Sequence, residues 1–470
     1  MGKSMALNLC LTILLSLGAA NAPAFAGKTI YVDDDATGLN DGSSWLNASK
    51  FLQDALMMAK EPDELRVAQG IYKPDDFALS DRPNLGRAET FQLKNGVAIR
   101  GGYASIGAPD PNARDIVKYE TILSGDLDGN DAPNFAGYEE NSYHVVTGSG
   151  TDANAILDGF TITGGNGNGP WWTDYVCGGG MFSISGNLTV TNCTFRNNSA
   201  ENGGGMYNNY ASPKLTNCTF IKNSASKSGA GISNWFDCNP TLTDCMFNGN
   251  SSLYYGGGML NDIGSFARMR KCTFSKNSAR YGGAIYSGEE SGSILMNCTF
   301  AGNSAYQGGG MCNYFSTIIL ANCLLWGNAP QQIYEFGGDV LVTYSDVQGG
   351  WPGEGNIDVD PCFADATDGD YHLKSQAGRW DANEGRWAID DVTSPCIDAG
   401  DPMSPIMHEP FPNGGIINMG AYGGTAEASK SYFGAAPCEI IVAGDVNGDC
   451  EVDFKDFTFI ALHWLTANTQ

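Results

Sequence analysis

The pattern of apolar and polar positions repeats every 25 to 27 residues between residues 178 and 328. Each unit has a glycine cluster, an apolar residue, a short run rich in β-branched residues and a Cys-x-Phe-x-x-Asn pattern, with leucine replacing phenylalanine in the last unit. No unit has the i, i+3, i+4, i+7 spacing of an amphipathic helix. Short runs bounded by glycine and asparagine favour strands and turns. Because a fixed period of this length is typical of a solenoid, we predict a mostly β chain built on a right-handed parallel β-helix, with three short strands per coil.

The repeated residues form columns that stacking explains. Cysteine and phenylalanine stand two positions apart, so they share one face of a strand and are expected to point into the bore. Asparagine tolerates left-handed backbone angles and can hydrogen-bond from coil to coil as a ladder. The column cysteines are expected to stay free thiols, because their side chains would lie parallel. The columns are Cys193, Cys218, Cys245, Cys272, Cys298 and Cys323, then Phe195, Phe220, Phe247, Phe274, Phe300 and Leu325, then Asn198, Asn223, Asn250, Asn277, Asn303 and Asn328.

The residues before the repeats have a different pattern. They predict a strand over Thr29–Val32, an amphipathic helix over residues 45–59 and a second strand over Glu64–Ala68. This order resembles the N-terminal segment of secreted right-handed β-helix proteins, one pectate lyase family among them. The resemblance implies a cap over the open end of the solenoid, where an uncovered end would expose unpaired strand edges.

Two further resemblances concern the repeats and the segment after them. The Cys-x-Phe-x-x-Asn and Gly-Gly-x-Ile/Met columns resemble the repeats of polymorphic outer-membrane adhesins. Residues 346–433 contain Asp-Pro-Cys-Phe-Ala-Asp, Ser-Pro-Cys-Ile-Asp-Ala-Gly and Asn-Met-Gly-Ala-Tyr, and they resemble the choice-of-anchor Q-type module that follows β-helices in exported bacterial proteins. That family often has other residues at Cys362 and Cys396, and the paired departure suggests a disulfide between them.

The chain is predicted to be exported. Residues 1–26 resemble a secretory signal peptide, with Lys3, an apolar stretch and a small-x-small cleavage site. No later run is long enough to span a membrane. The expected location is the cell surface or the extracellular medium. The predicted domains are residues 27–120 for the cap and first irregular coils, 121–345 for the β-helix repeats, 346–433 for the terminal module and 434–470 for a calcium loop and helix.

Composition limits the partners. The formal net charge is −26, from 52 acidic and 26 basic residues. A nucleic-acid-binding protein needs a basic face, and none is visible in this sequence. We therefore expect no nucleic-acid partner.

Residues 444–465 resemble one half of a type I dockerin. Oxygen-bearing side chains occupy positions 1, 3, 5, 9 and 12 of a calcium loop, and position 7 offers a backbone carbonyl. The six residues are Asp445, Asn447, Asp449, Asp453 and Asp456 for the side chains and Glu451 for the carbonyl. Calcium is therefore the expected cofactor. A single half-module lacks the second loop and helix, so a cohesin-like partner is not expected; Cys438 and Cys450 are a candidate disulfide.

A second acidic loop is a weaker calcium candidate. Its oxygen ligands fall at alternate positions, but it lacks the acidic residue that closes an EF-hand loop. A plain acidic turn is the alternative. The candidate ligands are Asp126, Asp128, Asn130 and Asp131.

The segment over residues 165–176 is a candidate glycan-binding loop. Its large aromatic side chains can stack on the sugar rings of a polysaccharide, or they can pack down as a lid over the bore. The candidate residues are Trp171, Trp172, Asp174 and Tyr175.

The sequence shows no decisive catalytic set. The four histidines fall in no nucleophile or metal-ligand pattern, and neither Gly-x-Ser-x-Gly nor His-Glu-x-x-His occurs. The first hypothesis is an exported, surface-associated β-helix protein with a binding or structural role and a polysaccharide or cell-surface partner. The alternative is a polysaccharide lyase or glycoside hydrolase of β-helix type acting on an acidic glycan. A lateral cleft with a lysine or arginine near two carboxylates would favour the enzyme, and a smooth rod would favour binding.

Overall fold

The computed structural model describes residues 27–78, 85–432, 446, 452 and 454–458. The predicted signal peptide and most of the predicted calcium loop lie outside these residues, as do Cys438 and Cys450. Within the described ranges, short parallel strands wind into a solenoid, so the predicted mostly β, parallel β-helix architecture is confirmed.

Each regular coil contributes strands to four parallel stacks, which we name A to D in the order in which a coil visits them. Stack A contains Phe91–Gln92, Val146–Thr147, Met181–Ile184, Met206–Asn209, Ile232–Trp235, Met259–Asp262 and Ile285–Ser287. Stack B contains Thr29–Val32, Glu64–Ala68, Ala98–Tyr103, Ile156–Asp158, Thr189–Thr191, Lys214–Thr216, Thr241–Thr243, Phe266–Arg270 and Gly292–Met296. Met311–Ala321 and Ile333–Thr343 run through both stacks and join them into one sheet.

The other two stacks complete the coil. Stack C contains Gly70–Tyr72, Thr121–Ser124, Thr161–Thr163, Thr194–Arg196, Thr219–Ile221, Met246–Asn248, Thr273–Ser275, Thr299–Ala301, Leu324–Trp326 and Asp346–Val347. Stack D contains Asn166–Gly167, Ser199–Asn202, Ser224–Ser228, Ser251–Ser252, Ser278–Tyr281 and Ser304–Gln307. Each regular coil has four strands, so the prediction of three strands per coil was wrong. The segment between the glycine cluster and the cysteine divides into two strands at a left-handed residue such as Tyr210, whose φ is +50°.

The cysteine and phenylalanine columns point into the bore as predicted. Phe220 pairs in register with Phe195 on one side and Phe247 on the other, and consecutive phenylalanine rings lie 4.5 to 4.9 Å apart and nearly parallel. All six column cysteines are buried free thiols, which confirms that they act as small apolar residues.

The asparagine column forms the expected ladder at the turn after stack C. Each buried side-chain amide donates to the side-chain oxygen of the next asparagine along the stack at 2.8 to 3.1 Å. A second ladder, which the sequence analysis did not predict, lies inside stack A. There Asn208 donates to Asn234 and Asn234 donates to Asn261, and Asn261 donates in turn to Ser293 on stack B of the next coil.

The two predicted N-terminal strands are present, but the predicted helix is too long. The helix spans only Leu52–Met58 and places Leu52 and Leu56 in the core that runs through the bore. The backbone before it is extended at Phe51, and the N–H of Ser49 donates to the carbonyl of Tyr31 at 2.8 Å. Residues 46 and 47 thus form a turn and Ser49 is held by a strand-like bond, which a helix starting at residue 45 would have to break.

Residues after the last coil pack against the outer side of stack C. They include two antiparallel hairpins, Phe363–Asp365 with Asp370–Leu373 and Arg379–Asp381 with Arg386–Ala388. Lys271 donates to the carbonyl of Gly424 at 2.9 Å, and Asn297 donates to the carbonyl of Asn418 at 3.0 Å. Leu324 of stack C shares a small apolar cluster with Leu373, Cys396, Ile397 and Met419.

The disulfide predicted between Cys362 and Cys396 is not formed. Both residues are free thiols, and their sulfur atoms have different partners. The Cys396 Sγ donates to a carboxylate oxygen of Asp346 at 3.4 Å, whereas the Cys362 Sγ lies 3.5 Å from the carbonyl of Asp360.

Helices are few and short in the described ranges. Three are 3-10 turns, at Gly86–Ala88, Pro133–Phe135 and Asp174–Val176, and residues 454–458 are helical. None of the helices described is long and apolar enough to cross a membrane.

Candidate functional site

The tryptophan loop, which we define as residues 165–176, leaves the solenoid at the corner between stacks D and A. Trp171 and Trp172 are 78% and 71% exposed, and their rings meet edge to face with centroids 5.6 Å apart. Neither indole covers the bore, so the lid alternative does not hold for these two rings. Asp174 is exposed beside them at the start of a single 3-10 turn.

Tyr175 has a different role from the two tryptophans. Its half-buried ring stacks on Tyr143 at 4.6 Å, and the guanidinium of Arg87 lies 4.3 Å from the centroid of the Tyr143 ring. His144 stacks on Phe182 and also contacts Tyr175. Burial lowers the pKa of His144 to about 4, so its imidazole is neutral near pH 7. These contacts anchor the base of the loop and leave the tryptophans free at its tip.

The acidic loop brings together a different set of carboxylates from the set predicted. Asp126, Asp131 and Glu140 each place one oxygen within 4.8 Å of the others, whereas Asp128 and Asn130 are exposed outside this group. Calcium bonds oxygen at about 2.4 Å, so oxygens on opposite sides of one ion lie about 4.8 Å apart. The three carboxylates therefore have the spacing of a calcium site. The sequence pattern did not identify Glu140 as a candidate ligand, because it lies outside the acidic run of residues 126–131.

The surroundings of this acidic group are partly shielded from solvent. Burial raises the pKa of Asp131 to about 7, and the nearby carboxylates of Asp126 and Glu140 add to the rise. Asn141, which is fully buried, donates from its amide nitrogen to both carboxylate oxygens of Asp131 at 3.0 Å. The Oε1 atom of Glu140 and the Oδ1 atom of Asn141 are buried without a hydrogen-bond partner in the described structure.

Lys73 lies beside the same acidic group. Its ammonium donates to the carbonyl of Leu127 at 3.0 Å, and its charge partly offsets the rise in the pKa of Asp131. A lysine therefore lies near carboxylates on the side of the solenoid, which is one part of the arrangement that would favour the enzyme.

Of the six residues predicted for the calcium loop at the end of the chain, only Asp456 is described. Its carboxylate is buried and accepts a hydrogen bond from the backbone N–H of Val446 at 2.7 Å, next to the expected first ligand position. Asp456 lies within the helical residues 454–458, as a loop-closing ligand at the start of a helix would. The other ligand positions, Asp445, Asn447, Asp449, Glu451 and Asp453, lie outside the described residues.

A cluster around His372 was also missed by the sequence analysis. The imidazole is 2% exposed, its Nδ1 lies 2.6 Å from Asp370, its Nε2 lies 3.6 Å from Glu427, and its ring stacks on Tyr422. The sequence signals this cluster only by Asp370, two residues before the histidine. Glu427 is too distant in sequence to be identified as a partner of His372. Asp370 also lies 3.5 Å from the guanidinium of Arg379, whose side chain is 12% exposed. The cluster therefore ties a hairpin to the segment that packs on stack C.

Two family models match parts of this chain. The model described as "Right handed beta helix region" matches residues 135–288, and the model described as "Disaggregatase related" matches residues 291–400. No curated protein matches the chain.

The chain also has distant likenesses among solved structures. One is titled "Crystal structure of pectate lyase Pel9A", with 12% identity, a TM-score of 0.47 and coverage of 85% of this chain and 97% of the other. Another is a rhamnogalacturonan lyase, with 12% identity, a TM-score of 0.38 and coverage of 78% and 96%. Both TM-scores are below 0.5, so neither likeness bears on activity. Together, the match to the β-helix model and the coil geometry identify the repeats as a right-handed parallel β-helix.

Proposed function

We propose that this protein is exported and binds carbohydrate at the cell surface or in the extracellular medium, with the tryptophan loop as its primary site. The observation that carries the proposal is the pair of tryptophans at the loop tip. Large apolar side chains are costly to leave in water, and two adjacent indoles on a firmly anchored loop are a typical surface for stacking on sugar rings. Asp174 beside them can accept hydrogen bonds from sugar hydroxyl groups.

The test is retention on immobilised polysaccharides. We expect the full chain to be retained on at least one polysaccharide and the double variant Trp171→Ala, Trp172→Ala to be retained on none, because both stacking surfaces are removed. Far-UV circular dichroism should stay native, since neither ring is part of the core. The matched control is Tyr306→Ala, which removes an aromatic side chain that is 70% exposed on stack D. Retention of the double variant at the original strength would contradict the proposal.

A second candidate function is supported by Lys73 and the group formed by Asp126, Asp131 and Glu140. In this alternative, the protein is a lyase or hydrolase acting on an acidic glycan. The carboxylates would hold calcium against the carboxylate of the substrate, and Lys73 would act as a base. The same polysaccharide panel, assayed for unsaturated or reducing-end products, tests it. Product formation that Lys73→Ala abolishes would establish the enzyme, and binding without product would favour the first proposal.

Calcium is the proposed cofactor at two places. The first is the loop that ends at Asp456, and the second is the group formed by Asp126, Asp131 and Glu140. Clustered carboxylates repel one another without a cation, so calcium should add order and stability at both places. Asp131 must be ionised to bind a cation. Because its pKa is raised to about 7, affinity at the second place should increase as the pH rises from 6 to 8.

Calorimetry on the full chain tests the calcium proposal. We expect Asp445→Ala to abolish binding at the first place, and Asp131→Asn to abolish the binding whose affinity depends on pH. Asp128→Asn, which removes a carboxylate that is exposed outside the group, is the control and should leave both unchanged. If the full chain took up no calcium between pH 6 and 8, the loop at the end of the chain would lose its dockerin-like chemistry.

A further inference from the structure

Residues 138–144, which we call the bridging segment, lie between the acidic group and the tryptophan loop. Within the segment, Glu140 contributes its carboxylate to the group that also contains Asp126 and Asp131. The amide nitrogen of Asn141 donates to both carboxylate oxygens of Asp131 at 3.0 Å. The same segment also supports the base of the tryptophan loop, so it contacts both of these places.

The bridging segment holds both ends of the tryptophan loop. At the first end, the N–H of Asn166 donates to the carbonyl of Ser142 at 2.8 Å, and the side-chain amide of Asn166 donates to the carbonyl of Tyr138 at 2.6 Å. At the other end, the ring of Tyr175 stacks on the ring of Tyr143. Asn166 and Tyr175 flank the exposed tip, so a shift of the bridging segment would move both ends of the loop that carries the tryptophans.

Arg87 makes a second connection between the bridging segment and the loop. Its guanidinium donates to the carbonyl of Asn141 at 2.6 Å. The same guanidinium donates to the carbonyl of Asn166 at 3.2 Å and to the side-chain oxygen of Asn168. A planar guanidinium has its donors in fixed directions, so it holds its acceptors in one arrangement. One side chain therefore joins the loop base to the residue that contacts Asp131.

A bound cation would act directly on the bridging segment. The carboxylate oxygens of Asp126, Asp131 and Glu140 lie within 4.8 Å of one another, and like charges at this distance repel. The Oε1 atom of Glu140 is buried without a hydrogen-bond partner in the described structure, and so is the Oδ1 atom of the fully buried Asn141. Calcium takes oxygen ligands, so it would remove the repulsion and supply a partner for Glu140. Both effects hold the bridging segment in place.

We propose that calcium at the acidic group fixes the tryptophan loop through the bridging segment and Arg87, so that carbohydrate binds more tightly when calcium is bound. This inference rests on the proposed carbohydrate binding and adds its regulation. A loop that is already ordered loses less conformational entropy when it binds a ligand. Coupling between two binding sites is reciprocal, so bound carbohydrate also raises the affinity for calcium. Arg87 is a positioning residue, since it acts through the loop base.

Amide hydrogen exchange on the full chain tests the connection without any carbohydrate. Exchange in peptides covering residues 166–177 is compared in calcium chloride and in EGTA. We expect exchange to be at least about fivefold slower with calcium, because the loop opens less often when the bridging segment is held. Asp131→Asn should abolish this difference. Asp445→Ala, which changes only the separate loop at the end of the chain, should keep it.

Arg87→Gln separates the connection from calcium binding. The carboxylates of Glu139 and Glu140 are near enough to act on the charge of Arg87, so calcium uptake measured by calorimetry should not weaken when that charge is removed. Calcium should slow exchange in residues 166–177 by less than about twofold in this variant, because glutamine cannot replace the three-way contact. The matched control is Arg66→Gln, which removes a guanidinium that also lies over a tyrosine ring, 5.6 Å from the centroid of Tyr103. It should keep the full effect of calcium.

Affinities for arabinoxylan, galactomannan and hydroxyethyl cellulose are then measured in calcium chloride and in EGTA. These polymers carry no carboxylates that would themselves take up calcium. We expect binding by the unchanged protein to be at least about fivefold weaker in EGTA. Asp131→Asn and Arg87→Gln should bind with this weaker affinity in both solutions.

Four outcomes would overturn this inference. Equal exchange of residues 166–177 in calcium and in EGTA would disprove the connection, and loss of binding in the tryptophan variant would still support the proposed function. Slower exchange with unchanged carbohydrate affinity would disprove the regulation alone. An effect of Arg66→Gln as large as that of Arg87→Gln would assign the change to general destabilisation. If the unchanged protein with calcium binds none of the polymers, the proposed function fails together with the inference.

Discussion

Asn250 shows how a single side chain joins three coils. Its amide nitrogen donates to the carbonyl of Phe220 and to the side-chain oxygen of Asn277, both at 2.9 Å. Its oxygen accepts from the backbone N–H of Asn223 at 3.0 Å and from the Asn223 amide at 2.9 Å. The side chain is fully buried, so water cannot replace any of these bonds.

Replacing Asn250 should therefore be costly. In Asn250→Ala, the carbonyl of Phe220 and the N–H of Asn223 lose buried partners, and a buried group left without a partner costs about 1–3 kcal/mol. We expect a loss of roughly 3 kcal/mol in the free energy of unfolding, measured by chemical denaturation. Asn248→Ala, on the outer side of the adjoining strand, should cost less than about 1 kcal/mol. Equal losses in the two variants would show that the ladder adds nothing beyond ordinary strand contacts.

At the residue scale, what could be predicted depended on repetition. The Cys-x-Phe-x-x-Asn columns were predictable because stacking places identical residues in identical surroundings. The inner ladder through Asn208, Asn234 and Asn261 had a similar signal, and it was overlooked. Four of the six glycine clusters have an asparagine two residues after their apolar residue, and the other two have a serine there. The left-handed backbone of Tyr210, with a φ of +50°, could not be predicted, because tyrosine does not prefer that conformation.

At the scale of elements, Glu409 illustrates how the segment after the solenoid is held. Its Oε1 accepts hydrogen bonds from the backbone N–H groups of Asn418 and Gly424, both at 2.8 Å. Its Oε2 is buried and has no hydrogen-bond partner in the described structure. Burial raises the pKa of this carboxyl to about 7, Asp398 adds to the rise, and Lys271 opposes it.

This raised pKa has a definite effect on stability. An unfolded glutamate ionises near pH 4.3, so between about pH 4 and 7 the unfolded chain releases a proton that the folded chain keeps. The contribution of the Glu409 carboxyl to the free energy of unfolding is therefore fully present below about pH 4. It falls as the pH rises to about 7 and is constant above that pH. We expect the melting temperature of Glu409→Gln, measured from pH 4 to 8, to fall less over this window than that of the unchanged protein.

The comparison of the two proteins isolates Glu409 from other titrating groups. Asp346 is also buried, with its pKa raised to about 6, and it contributes a slope of the same sign in both proteins. Identical pH profiles for the two proteins would show that the Glu409 carboxyl titrates as in the unfolded chain.

Elements were harder to predict outside the repeat than within it. The two N-terminal strands follow from their β-branched residues, but the start of the helix depends on the bond between Ser49 and Tyr31, which no local pattern reveals. The pairing suggested for Cys362 and Cys396 failed because Asp346, distant in sequence, takes the Cys396 thiol. Likewise, the partners of His372 and Glu140 come together only through the fold, so the candidate sites could be predicted in part.

At the scale of the whole molecule, the excess of negative charge is the dominant feature. The chain has 52 acidic and 26 basic residues, and many acidic side chains lie exposed on the surface of the solenoid. Like charges distributed along a folded surface repel one another and lower its stability relative to the expanded chain.

Salt should relieve this repulsion. The Debye length falls from about 30 Å at 0.01 M to about 8 Å at 0.15 M ionic strength. We therefore expect the melting temperature to rise by a few degrees between these sodium chloride concentrations, with a chelator present to exclude effects of calcium. The same increase in osmolarity supplied as an uncharged solute is the control. A falling melting temperature would mean that attractive pairs, such as Arg100 and Arg114 with Asp158, outweigh the repulsion.

The contacts of residues 401–424 with Lys271, Asn297 and Asn322 affect how the solenoid unfolds. These residues stand at the same corner of three successive coils, and each contacts the segment over residues 401–424. A stack of repeats ordinarily frays from its ends, one repeat at a time, because each repeat contacts only its neighbours. Here residues 401–424 connect three successive coils from the side, so no single coil can detach from this end alone. We therefore expect these coils to unfold together, with an activation barrier set by all of the contacts with residues 401–424.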